Sequence, residues 1–165
     1  MKVLVSDTSV LIDLHRGALI PAVFGLPVTF VVPDLLYERE IKGQADLDFA
    51  GNGIEVMELD GHGVELAQRY RRASAKISTP DSFALALAKT LGYTLLAGDG
   101  ALRKLAVTEH VICHGVLWVI DQMESESVAS AAKLHQALLL IRADKRCRLP
   151  QAELTQRINR LAALL

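Results

Sequence analysis

Short apolar runs alternate with amphipathic helical segments through the first two thirds of this 165-residue chain. Most of these runs are rich in Val, Ile and Leu and show no polar alternation, which is typical of parallel strands covered on both faces. Parallel strands are joined by crossover connections that usually contain helices. The alternation therefore predicts an α/β domain with a mostly parallel central sheet and helices on both faces. The predicted strands lie at Val3 to Val5, Val28 to Val32, Ile54 to Leu59, Thr94 to Ala97 and Val111 to Cys113.

Beyond Gly115 the pattern is only helical. Apolar positions recur at helical spacing in residues 116–123, 128–142 and 151–164, and Pro150 separates the last two segments. We therefore expect a main domain over residues 1–125 and a C-terminal helical extension over residues 126–165, packed on the same domain. The run from Leu138 to Ile141 has too many consecutive apolar residues for a helix that is wet on one side. It predicts either a helix packed in the core or, with Trp118 and the C-terminal helix, a dimer or partner interface.

The net charge of −1 argues against a general nucleic-acid coating protein, which would be strongly basic. No apolar run approaches the roughly 18 residues of a membrane span, and the N-terminal apolar run lacks a cleavage-site pattern. Cys113 and Cys147 are isolated, which fits free thiols in a reducing cytoplasm. We expect no membrane contact, a cytoplasmic location, and nucleic-acid contacts made only through local basic patches. The basic residues expected to contact RNA are Arg69, Arg71, Arg72 and Lys76, and a second local patch contains Arg142, Lys145, Arg146 and Arg148.

Four acidic residues fall at comparable places in the predicted fold. Asp7 and Asp99 each follow a strand, Glu38 lies on the helix after the second strand, and Asp81 shares the apolar face of its helix. Groups beyond the carboxyl ends of parallel strands line the ligand crevice of an open α/β sheet. Like charges about 4 Å apart repel by roughly 4 kcal/mol at an effective dielectric constant near 20. Such a group needs protonation or divalent cations, and an all-oxygen set favours magnesium or manganese.

Each acid also has a simpler explanation. Asp7, Asp81 and Asp99 could act only as caps or first-turn acids of helices, since Asp favours helix N-termini. Glu40 lies two residues after Glu38, and periodicity does not distinguish them; the sequence context from Pro33 onward favours Glu38.

Four segments in order resemble the PIN-domain nucleases. They are Val-Ser-Asp7-Thr-Ser-Val-Leu-Ile, Val-Val-Pro33-Asp-Leu-Leu-Tyr-Glu, Pro80-Asp-Ser-Phe-Ala-Leu-Ala-Leu-Ala, and Leu-Leu-Ala97-Gly-Asp-Gly-Ala-Leu-Arg-Lys-Leu-Ala. The resemblance covers about residues 1–115. It implies a three-layer α/β/α fold and cleavage of RNA that depends on magnesium or manganese. Many bacterial and archaeal members are the toxins of VapBC toxin–antitoxin pairs.

By position, the resemblance implies a metal-binding set of four acids, with Thr8 or Ser9 supplying a hydroxyl beside it. The chain departs from the family pattern at Ala97, where many members have Thr or Ser two residues before the last acid. A lost hydroxyl there weakens support for the metal ligands. The acids assigned to the metal are Asp7, Glu38, Asp81 and Asp99.

The leading hypothesis is a metal-dependent endoribonuclease, the toxin of a type II toxin–antitoxin pair, with RNA as substrate, a protein antitoxin as partner and a homodimeric state. The alternative is a catalytically inactive PIN-like module that binds RNA or protein, motivated by Ala97 and the apolar C-terminal helices. A haloacid-dehalogenase-type phosphatase also begins with an Asp after its first strand. That family expects a second Asp where this chain has Ser9, so this hypothesis ranks below the others.

Overall fold

The structure, a computed structural model, describes residues 2–165 and contains one five-stranded sheet in which every neighbouring pair is parallel. The predicted strands are confirmed, and the third lies at the sheet edge as expected. The strands are β1 (Lys2–Ser6), β2 (Val28–Pro33), β3 (Ile54–Met57), β4 (Thr94–Leu96) and β5 (Cys113–His114). Their order in the sheet is β3-β2-β1-β4-β5, so β1 lies at the centre between β2 and β4.

Eight helices cover the sheet and complete a three-layer α/β/α fold, which confirms the predicted fold class. The helix predicted after the second strand differs in detail, because only its first turn is α-helical and residues Tyr37–Ile41 form a π-helical turn. The helices are α1 (Thr8–Arg16), α2 (Asp34–Leu36), α3 (Gly61–Ala73), α4 (Thr79–Leu91), α5 (Gly100–Thr108), α6 (Val116–Ser125), α7 (Ala131–Ala143) and α8 (Gln151–Ala162).

Helix α4 is the most deeply packed helix of the first half. It contacts β1, β2 and β4 as well as α2, α3 and α5, and its Ala and Leu side chains from Ala84 to Ala88 are buried. Ser78 caps its start by accepting a hydrogen bond from the amide of Asp81, and Gly92 ends it in the left-handed conformation with φ 68°. These caps fix the register of α4 and thereby bring Asp81, in its first turn, toward the sheet.

Helices α7 and α8 share the same hydrophobic core as the sheet. Leu138 and Ile141 are fully buried, Leu139 is partly buried against the core, and Leu140 is 40% exposed. Core packing therefore accounts for most of the apolar run in α7. A Cβ atom at Gly17 would lie 3.0 Å from Ile141 Cδ1, so α7 packs directly against the end of α1. The division of the chain at residue 125 stays a prediction.

The strand register determines which residues meet at the carboxyl edge of the sheet. Ser6 pairs with Leu96 across β1 and β4, and the amide of Asp7 donates to the Leu96 carbonyl at 2.9 Å. The residues that follow β1 and β4 are therefore neighbours in space, although more than 90 positions separate them in the chain. Among residues 2–165, none of the helices combines the length and apolar character needed to cross a lipid bilayer.

Candidate active site

Asp7 is buried where β1 ends and α1 begins. Its Oδ1 accepts from the amide of Val10 at 2.9 Å and thereby caps α1, while its Oδ2 accepts from the hydroxyl of Ser9 at 2.8 Å and from the amide of Gly98 at 2.9 Å. Burial raises the pKa of Asp7, and these three hydrogen bonds oppose the shift by stabilising the carboxylate. Asp7 therefore caps α1, as considered from the sequence. Its other carboxylate oxygen also accepts a hydrogen bond from Gly98, in the segment after β4, which a helix cap alone does not require.

Asp99 occupies the equivalent position after β4. It is exposed, and its Oδ2 accepts from the amide of Leu102 at 2.9 Å, which caps α5. No hydrogen bond from the described residues 2–165 reaches its Oδ1, so one oxygen remains directed to solvent or ligand. The hydrogen bond at Oδ2 therefore holds Asp99 in position, and Oδ1 is available to bind a ligand such as a metal ion.

Asp81 couples the acids electrostatically. Burial raises its pKa to about 6, and the carboxylates of Asp7, Glu40 and Asp99 contribute to the increase. A hydrogen bond with Ser78 acts in the opposite direction but does not cancel them. Negative charges thus surround the half-buried carboxylate of Asp81. Its ionised form is unfavourable in free energy unless a partner neutralises the charge.

The structure brings Glu40, and not Glu38, to the acidic cluster. Glu40 Oε1 accepts from Thr8 Oγ1 at 2.9 Å, whereas Glu38 is exposed and pairs with Lys42 at 3.2 Å along its own helix. The reason is the π-helical turn, closed by a hydrogen bond from the amide of Lys42 to the carbonyl of Tyr37. It changes the angle between successive side chains from that of an α-helix, and the sequence context from Pro33 onward, which favoured Glu38, contains no sign of this turn.

Ser9 and Gly98 both hold the side chain of Asp7. The Ser9 hydroxyl and the Gly98 amide donate to Asp7 Oδ2, whereas Ala97 is fully buried and has no hydroxyl. A Cβ atom at Gly98 would lie 2.5 Å from Ser9 Oγ, so only glycine allows this close approach. Thr8 donates to Glu40 and Ser9 donates to Asp7, and the expected role of their hydroxyls beside a metal stays a prediction.

The donor chemistry of the cluster fits a hard divalent cation. All four side chains offer carboxylate oxygens, and burial together with the neighbouring carboxylates raises the pKa of Asp81. Among residues 2–165, no three His, Cys, Asp or Glu side chains are placed so that they could hold a metal ion by themselves. Mg²⁺ is commonly held by one or two carboxylates and keeps several of its waters, so an open set suits it better than it would suit zinc. The four acids are Asp7, Glu40, Asp81 and Asp99.

The basic residues expected to contact RNA do not all lie beside the acidic cluster. Lys76 lines a cavity that also contains Asp99. Arg71 donates to the Ile77 carbonyl and, with Arg72, lines a different depression beside α4. Arg69 is exposed on α3. Only Lys76 therefore adjoins the acidic cluster, and an RNA-binding role for the other three stays a prediction.

Comparison with known proteins assigns the chain to a family. A family profile named DUF3368 and described as a PIN domain matches residues 3–163, which includes α7 and α8 as well as the sheet. A search of curated proteins found no match to the chain. The match extends over almost all of the sequence and agrees with the parallel sheet and with acids after β1 and β4. The chain belongs to the PIN-domain family of nuclease folds.

Proposed function

We propose that this protein is a metal-dependent endoribonuclease that hydrolyses RNA phosphodiester bonds at the cluster of Asp7, Glu40, Asp81 and Asp99. The observation that carries the proposal is the convergence of acids at the carboxyl edge of the sheet, where Asp7 and Asp99 follow β1 and β4 and cap the next helices. Burial, with smaller contributions from the carboxylates of Asp7, Glu40 and Asp99, raises the pKa of the neighbouring Asp81 to about 6. Like charges held together at a fixed edge of the sheet store electrostatic energy that a divalent cation releases on binding. Membership of the PIN-domain family supports the same conclusion.

The residues of the cluster have different tasks. Bound Mg²⁺ or Mn²⁺ would lower the pKa of a water molecule and stabilise the leaving oxygen of the phosphodiester. Asp7 is held rigidly by three hydrogen bonds, so it fixes the depth of the ligand site. Asp99 is exposed and presents a free oxygen toward the substrate side. Thr8 orients Glu40 from α1. No Ser, Cys or His nucleophile is required in this scheme.

The proposal is tested with purified protein and mixed-sequence single-stranded RNA or DNA in manganese, magnesium or EDTA. We expect RNA cleavage in manganese or magnesium and none in EDTA, because the acids alone neither activate water nor neutralise the phosphate. Calorimetric titration with manganese should show binding. Metal binding and RNA binding without cleavage would instead identify a catalytically inactive PIN-like module, and cleavage in EDTA would contradict the metal requirement.

A pair of neighbouring substitutions tests which glutamate belongs to the cluster. Glu40→Gln should reduce the rate of metal-dependent cleavage by roughly 10-fold or more, because it removes a charge from the site. Glu38→Gln should leave the rate within about two-fold, since an exposed pair of this kind contributes well under 1 kcal/mol. Cleavage rates at saturating manganese provide the comparison. A loss confined to Glu38→Gln would restore the assignment made from the sequence.

The proposal also includes a biological role and the partners that this role requires. We infer the toxin of a type II toxin–antitoxin pair, with a protein antitoxin as partner and a homodimer as the free state, from the resemblance to VapBC toxins. Apolar side chains remain exposed for such contacts at Leu140, Leu164 and Leu165. Light scattering at low concentration tests the dimer, and a monomeric mass would exclude it.

A further inference from the structure

Two cavities meet at Asp99. The first, of about 520 Å³, lies between α5, α6 and the connection that joins α7 to α8. The second, of about 560 Å³, lies on the other side of α5 and contains Lys76 and Lys104. Both include Asp99 and Gly100 in their walls. An extended ligand that passes Asp99 therefore has room on either side of it.

The first cavity carries exposed cations without acidic partners. Arg103, in the first turn of α5, and Arg148, in the α7–α8 connection, form no ion pair with any carboxylate of residues 2–165. Arg157, in the same cavity, is already held by Asp121 through two hydrogen bonds of 2.9 and 2.7 Å. Two positive charges thus remain available beside the acidic cluster.

Local packing places both arginines at the wall of the first cavity. A Cβ atom at Gly115 would lie 2.8 Å from Arg103 Nη1, so the guanidinium rests on the backbone at the start of α6. The α7–α8 connection is tied to α1 by Arg16, which lies 3.3 Å from Asp13 and 3.4 Å from Asp144. Arg148, four residues after Asp144, therefore also lines a smaller cavity together with Ser9 and Asp99.

The wall of the first cavity also contains an aromatic pair. The rings of His114 and Trp118 are stacked with a centroid distance of 4.1 Å and an interplanar angle of 5°. Burial, together with Lys2 and Arg103, lowers the pKa of His114 and favours the neutral ring. Aromatic rings beside cations are the usual combination in sites for single-stranded nucleic acid, since the cations follow the phosphates and the rings stack with unpaired bases.

We propose that Arg103 and Arg148 form a phosphate-binding subsite that holds a single RNA strand on one side of Asp99. This proposal rests on the proposed ribonuclease function and makes the C-terminal helical pair part of the substrate-binding surface. The strand enters or leaves through the first cavity, its phosphates contact the two guanidinium groups, and an unpaired base lies against His114. The Trp118 ring supports His114 from behind, since it is stacked on His114 and has Lys2 Nζ 4.9 Å from its centroid. Arginine suits this task because its planar group can donate two hydrogen bonds to one phosphate.

Binding of a 5′-labelled 12-nucleotide single-stranded RNA, measured by fluorescence anisotropy in EDTA, tests the subsite without cleavage. Arg103→Gln and Arg148→Gln should each weaken binding by roughly 5- to 10-fold and reduce the slope of log Kd against log salt by about 0.7. Arg148→Lys should retain the salt slope, because it retains the charge. The matched control is Arg142→Gln, an exposed position on α7 outside these cavities, which should change neither quantity.

Trp118 gives a second readout, because it is the only tryptophan in the chain. Binding of the single strand should change its fluorescence, and a 12-base-pair RNA duplex should bind more weakly and change it less. Wild-type affinity and salt slope in both glutamine variants would overturn the subsite while leaving metal-dependent cleavage standing. Absence of RNA binding by the wild type in EDTA would also overturn it. Loss of cleavage in every metal would instead contradict the ribonuclease function.

Discussion

Asp99→Asn is expected to abolish metal-dependent RNA cleavage and to leave the fold intact. The cleavage rate should fall by at least about 100-fold, the scale on which single electrostatic groups act in active sites. Asn is as good a helix cap as Asp, so the hydrogen bond from the Leu102 amide to the side chain at position 99 can be kept. The measurement is cleavage of single-stranded RNA in manganese, together with a thermal melt of each protein in EDTA.

Asp60→Asn is the matched control for this result. Asp60 caps α3 in the same way, by accepting from the amide of Gly63 at 2.8 Å, but it lies outside the acidic cluster. The control should retain full cleavage and melt within about 1 kcal/mol of the wild type. Equal cleavage by both variants would show that Asp99 is only a cap. Asp7→Asn is a less clean test, because an amide nitrogen at the buried Oδ2 position would face the amide of Gly98.

Asp81→Asn is expected to stabilise the fold while removing cleavage. The pKa of Asp81 is about 6 in the folded protein, above the ordinary value of 3.8, so the ionised carboxylate destabilises the fold at neutral pH. The full shift corresponds to about 3 kcal/mol. Because the side chain is partly exposed and solvent screens the charges, we expect about 1 to 2 kcal/mol. That gain raises the melting temperature by roughly 3–6 °C in EDTA.

The sign of the effect is tested by changing the pH. As the pH falls through about 6 toward 3.8, wild-type Asp81 becomes protonated in the folded state and its destabilising contribution disappears. The advantage of Asp81→Asn should therefore be largest at pH 7.5 and small at pH 4.5. Asp60→Asn, outside the cluster, should show no such pH-dependent gain. A variant less stable than the wild type at pH 7.5 would contradict the electrostatic account of the cluster.

The positions of Asp7, Asp81 and Asp99 followed from the sequence because simple rules place them. Parallel strands end at one edge of the sheet, so residues directly after β1 and β4 must be neighbours. The apolar spacing in α4 likewise indicated that Asp81 faces inward, and burial does raise its pKa. These inferences depend on regular geometry, which strands and α-helices provide.

Three features depend on irregular or long-range geometry that periodicity does not encode. The π-helical turn Tyr37–Ile41 brings Glu40 to Thr8, because its residues do not follow α-helical spacing. The hydrogen bonds that Ser9 and Gly98 donate to Asp7 require the segments after β1 and β4 to approach each other. The place of Arg148 beside Asp99 follows from how α7 packs on α1, and no local pattern in residues 144–150 reveals it.

The contact between Asp7 and Gly98 also bears on when the protein becomes active during translation. This hydrogen bond joins residues 91 positions apart in the chain, and β1 needs β4 as its second neighbour in the sheet. Chains grow from the N-terminus, so a nascent polypeptide has no complete cluster until β4 and Asp99 have left the ribosome. A product that terminates earlier carries the first acids without their support, so under the proposed function it would lack a complete site and leave the transcripts around it intact.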